Sequence, residues 1–92
     1  MKDLMGIEIQ DGDIVADIRT NYAWVEPGVI TGGLTASGKI RFLSWRGKGH
    51  TQEKFLLKIT PQQAKDFLIN KFDNDIPVSV QNFIEQILEP RL

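Results

Sequence analysis

The feature that most constrains this chain is a change of period at Thr60. Before it, apolar residues recur at every second position in short, β-branched runs; after it they recur at helical spacing. A chain of 92 residues that switches period once has a single modest core to build, from strands first and helices second. The junction reads Thr60-Pro61-Gln62-Gln63. Threonine can cap a helix, proline is preorganised for its first position, and glutamine three residues after the cap completes a capping box. Downstream, Ala64, Phe67, Leu68 and Phe72 share one helical face. Asn74 and Pro77 then interrupt, and Val80, Phe83, Ile84, Ile87 and Leu88 form the stripe of a second helix that Pro90 ends.

Upstream, GDIVADIR places Ile14, Ala16 and Ile18 in alternation with Asp13, Asp17 and Arg19, which predicts a strand with one buried face. Thr20-Asn21 in RTNYAW predicts a turn, and WVEPGVIT a second strand whose Pro27 belongs at an edge or bulge, with Gly28 absorbing the bend. KIRFLSWR reads as a third strand, with Ile40 and Phe42 on one face and Arg41, Leu43 and Trp45 on the other. RGKGHTQ reads as a mobile, glycine-rich tip and EKFLLKI as a fourth strand; a fifth forms if Met5–Ile9 pairs. The expected fold is a single α+β domain over 1–92: a small antiparallel β-barrel over 7–59, then two amphipathic helices as a hairpin over 60–90.

Residues 32–40, GGLTASGKI, contain G-x-x-x-x-G-K, most of a phosphate-binding loop. The hydroxyl residue that would hold magnesium is replaced by Ile40, and the segment leads into a strand where such a loop needs a helix. It therefore reads as a hairpin connection. Asp73-Asn74-Asp75 lacks the glycine and glutamate of a calcium loop, and a chain with one histidine and no cysteine cannot assemble a zinc site. Ser44 or Thr51 with His50 supplies residue types for nucleophilic catalysis without a defined geometry, so neither an enzyme nor a cofactor is expected. No apolar run reaches the ~18 residues of a membrane span, and the N-terminal residues lack a signal-peptide core. With 41% hydrophobic and 25% charged residues, the expectation is an ordinary folded, cytoplasmic protein.

A formal charge of −1 conceals strong polarity along the chain. Residues 1–35 hold two basic and six acidic groups, residues 36–58 hold six basic and one acidic, and residues 59–92 hold three basic and five acidic. The basic third also contains Trp45 and His50. Lys39, Arg41, Trp45, Arg46, Lys48 and His50, with Tyr22 and Trp24 from the turn before the second strand, are therefore the candidate ligand-binding residues. Cations meet phosphates or carboxylates, and aromatic rings can stack on bases.

Gly12, Asp13, Val15 and Ala16, then Trp24, Val29 and Ile30, then Gly38 to Phe42, and finally Trp45 and Gly47 together resemble the SH3-like barrels of the Tudor and KOW type. In size and style the chain is also similar to small accessory proteins of tailed phages. The resemblance covers the first sixty residues or so and implies a non-catalytic adaptor, with Tyr22, Trp24 and Trp45 as cage or platform residues. Arg46 and Lys48 beside that position would repel a methylammonium group, which favours an acidic ligand: RNA, single-stranded DNA or an acidic protein surface. Two other functions fit the sequence: a protein–protein module or enzyme inhibitor docking through an apolar helix or barrel face, and a self-associating structural protein.

Overall fold

In the computed structural model, which describes residues 1–19 and 25–92, the first half forms five antiparallel strands: β1 (Ile14–Asp17), β2 (Glu26–Leu34), β3 (Ile40–Ser44), β4 (Gly47–Thr51) and β5 (Leu56–Lys58). Their order across the sheet is β4-β3-β2-β1-β5. The sheet is open, because its two edges β4 and β5 exchange no ladder bonds among the described residues. The predicted turn in RTNYAW lies outside the described residues.

Several segments differ from the sequence expectation. GKGHT is a strand, not a mobile tip: a two-residue turn at Trp45-Arg46 reverses the chain, and β4 runs back along β3 from Ser44↔Gly47 to Ile40↔Thr51. Gly47 takes φ 114° there, a conformation that side-chain-bearing residues rarely adopt, so its glycine made the strand look like a loop. In the predicted fourth strand, Glu53–Phe55 instead forms one 3-10 turn, leaving only Leu56–Lys58 in the sheet. Pro27 also lies in the central strand β2 and not at an edge. It is opposite Ala16 of β1, while pairing with β3 starts one residue later at Gly28↔Ser44, so its missing N–H costs no bond on the β3 side.

Each face of the sheet carries a buried apolar cluster, with β4 left largely exposed. On one, Ile9, Val15, Ile30, Ile40, Phe42 and Leu56 form a buried cluster within the curl of the sheet. On the other, Ile14 and Val29 join Ala64, Leu68, Val80, Phe83, Ile84 and Leu88 from the helices. Helix α1 (Pro61–Phe72) starts as expected, with the Thr60 hydroxyl accepting from the Gln63 N–H and the Gln63 side chain accepting from the Thr60 N–H. Helix α2 (Val78–Phe83) continues through a π-helical turn at Ile84–Leu88 into a 3-10 turn at Glu89–Arg91. The apolar stripe from Val80 to Leu88 is therefore core, packed between α1 and the sheet.

Met5–Ile9 does not add a strand. The N-terminal residues instead fold over the free side of β5, where Leu4 donates to the Leu56 carbonyl at 2.9 Å. Asp3 is the anchor: its buried carboxylate accepts the N–H groups of Met5 and Ile7, both at 2.9 Å, and of Lys58 at 2.8 Å. Burial opposes ionisation of Asp3, but these three bonds outweigh it and hold its carboxyl below the usual carboxylate range. A carboxyl with a lowered folded pKa stabilises above its unfolded pKa of about 4 and loses that contribution as the pH falls through the folded value. Asp3→Ala is thus expected to cost about 2 kcal/mol at neutral pH, because three N–H groups lose a charged acceptor. Urea denaturation at pH 7 and below pH 3 tests this: the gap between wild type and variant is expected to narrow in acid.

Candidate ligand-binding surface

Strand pairing places the basic residues on the hairpin. The turn at Trp45-Arg46 makes Ser44–Gly47, Phe42–Gly49 and Ile40–Thr51 the hydrogen-bonded pairs, and Arg41–His50 and Leu43–Lys48 the non-bonded ones. Phe42 is buried against the inner cluster, so Arg41, Leu43, Lys48 and His50 all project from the opposite face. Leu43 is half-buried against the helical cluster, whereas Arg41, Lys48 and His50 are exposed. Arg41 lies directly across from His50, and no acid pairs with any of the three across the strands.

The candidate patch divides into two ends about 17 Å apart, the length of the five-residue β3 at a strand rise of about 3.3 Å. At the open end, Lys39 borders two adjoining clefts. A shallow one of about 370 Å³ is lined by Ser37, Gly38, Lys39, Gln52, Glu53 and Lys54. A smaller one of about 70 Å³ is lined by Arg19, Lys39, His50, Thr51, Gln52 and Phe55. Lys54 and Arg19 are thus additional cations of this end. Alternation alone marks both as ordinary strand residues; only the 3-10 turn brings Lys54 beside Lys39. Arg19 is tied to the buried Asp17 carboxylate at 2.7 Å. Glu53, the one acid here, accepts the Lys2 N–H at 2.7 Å.

At the turn end, the aromatic residue is engaged in packing. Trp45 is half-buried against the helical cluster and meets Phe72 edge-on, with ring centroids 5.4 Å apart. The Arg46 guanidinium lies over the same indole at 5.2 Å, and its Nε is 3.8 Å from Glu26. Trp45 and Arg46 therefore brace the hairpin against α1, while Lys48 extends into solvent. Tyr22 and Trp24 lie outside the described residues.

GGLTASGKI forms the β2–β3 connection, passing from strand to strand. The Thr35 hydroxyl accepts the Lys39 N–H at 3.0 Å, and the backbone closes between Thr35 and both Gly38 and Lys39. Ser44 and Thr51 lie on the inner face of the hairpin and His50 on the outer, so no hydroxyl there meets the imidazole. Among the described residues, no group of three or more metal-ligating side chains converges, and no helix is long and apolar enough to cross a membrane.

No protein-family model matches this chain, and no match is found among curated proteins or solved structures.

Proposed function

We propose that this chain is a non-catalytic binding module that docks an acidic ligand on the outer face of the β3–β4 hairpin. The observation that carries this reading is the concentration of Lys39, Arg41, Lys48 and His50 on one hairpin, extended by Lys54 at its open end, where Glu53 is the one acid among the cleft-lining residues. Oriented cations on a rigid strand pair attract polyanions and steer their approach. The strand order β4-β3-β2-β1-β5, with a 3-10 turn between the last two strands in sequence, supports reading the sheet as an SH3-like small barrel of the Tudor or KOW type. Such a fold would make the chain an adaptor. An acidic protein surface is preferred over RNA or single-stranded DNA, because the Trp45 indole that would stack on a base is packed against Phe72 and covered by Arg46.

The test is fluorescence anisotropy with polyglutamate and with a single-stranded RNA of about 20 nucleotides, across a salt series. The triple variant Lys39→Ala, Arg41→Ala, Lys48→Ala is expected to lower polyglutamate affinity about tenfold or more, or about 1.4 kcal/mol. Unchanged affinity in that variant, with its melting temperature intact, overturns the proposal.

A further inference from the structure

The two edges of the sheet are finished differently. The free side of β5 is occupied, since Leu4 bonds to the Leu56 carbonyl and Asp3 takes the Lys58 N–H. The free side of β4 is occupied by none of the described residues. Because Lys48 and His50 occupy the non-bonded positions opposite Leu43 and Arg41, their N–H and C=O groups point away from β3. Among the described residues, no backbone bond is made to them. Gly47, Lys48, Gly49 and His50 are all exposed, so the N–H and C=O groups of Lys48 and His50 stand open as far as the described residues go.

We infer that β4 is a strand-addition site for an extended acidic peptide, which lies antiparallel beside it as a sixth strand. This rests on the proposed reading of the hairpin as an acidic-ligand site and names the form the ligand takes. Charge selects the occupant. A second copy of β4 would set Lys48 and His50 against the same basic residues, an arrangement that opposes pairing. A strand with carboxylates at alternate positions sets them directly opposite Lys48 and His50, on the face that also carries Arg41. The intervening residues of the peptide then face Gly47 and Gly49. Neither has a side chain, and nothing lies within 4 Å of where a Cβ would stand, so side chains of any size at those peptide positions meet no obstacle. The sequence recognised therefore carries acidic residues at alternate positions, with no side-chain requirement at the positions between them. Main-chain bonds hold the peptide, and the alternate side chains give it specificity.

Backbone methylation of the ligand tests this without altering the protein. The probe is a synthetic peptide of about eight residues alternating glutamate with valine, long enough to span the edge. In the antiparallel arrangement its glutamate N–H groups face β4 and its valine N–H groups face solvent. Titration into the isotopically labelled full chain, followed by amide NMR, is expected to shift the Lys48 and His50 signals most. N-methylation of the glutamates is expected to weaken binding by about tenfold or more, through loss of two ladder bonds, whereas N-methylation of the valines leaves it within about twofold. Equal affinity for the two methylated peptides means charge alone is recognised; strand addition is then overturned and the acidic-ligand reading survives. Binding of single-stranded RNA but not of the peptide likewise overturns strand addition and leaves the acidic-ligand reading standing. No binding of peptide, polyglutamate or RNA overturns both.

Discussion

Gly28→Ala is expected to destabilise the chain by about 3 kcal/mol, a large share of the roughly 5–14 kcal/mol available to a domain of this length. Gly28 is buried in the middle of β2, opposite Val15 and Ser44, and its φ is not of the kind that demands glycine. The constraint is space. A Cβ there would stand 2.6 Å from the Leu43 carbonyl oxygen and closer still to the ring of Phe42, which lies across the glycine. Neither neighbour can yield: the carbonyl belongs to the adjacent strand, and the ring is fixed among Ile30, Ile40 and Leu56. Urea denaturation of Gly28→Ala measures the loss. Phe42→Leu in the same background is expected to recover part of it, since the smaller side chain vacates the space the methyl needs. Failure of that rescue would place the strain elsewhere.

The second large effect separates the two sides of α1. Leu68 is 0% exposed and sits between the helices and the sheet, whereas Ile69, the next residue and about 100° further round the helix, is 37% exposed. Leu68→Ala is expected to cost about 3 kcal/mol, from lost transfer energy and an imperfectly collapsed cavity. Ile69→Ala is expected to cost well under about 1 kcal/mol. Thermal melts of the two variants check this, and similar losses in both would contradict the packing of α1 against the sheet.

The helical half was legible in the sequence because its signals are local. Thr60, Pro61 and Gln63 form a complete capping box within four residues, and the stripes at Ala64–Phe72 and Val80–Leu88 are the faces that meet the sheet. The strands around Ile14, Val29 and Phe42 were legible as strands from their alternation, but β1 does not have the single buried face expected of it: Ile14–Asp17 is buried on both sides, with Ile14 in the helical cluster and Val15 in the inner one. β4 was not, because an exposed edge strand with two glycines has almost no apolar alternation to read. Nor was the role of Asp3, whose partner Lys58 is 55 residues away. For the candidate surface, composition located the basic segment and alternation correctly set Arg41 apart from Phe42. What composition could not supply was the division of labour within it. Trp45 and Lys48 are three residues apart, yet the first packs against Phe72 and the second faces water.

The closure of β5 by the N-terminal residues also bears on how the chain reaches this structure during synthesis. The β2–β3–β4 meander is built from neighbours in sequence and can form as soon as residues 26–51 have emerged from the ribosome. The first strand has no such freedom. β1 gains its second neighbour only when Leu56–Lys58 appears, and Asp3 has no Lys58 to hold until the same moment. Ile14 must wait longer, for a helical partner as late as Leu88. The residues that precede the meander are thus among the last to be secured, and closing those long loops has an entropic cost that slows the final step. Until then the apolar side of the meander stays exposed on the nascent chain, which makes that interval the period of greatest vulnerability to misassociation.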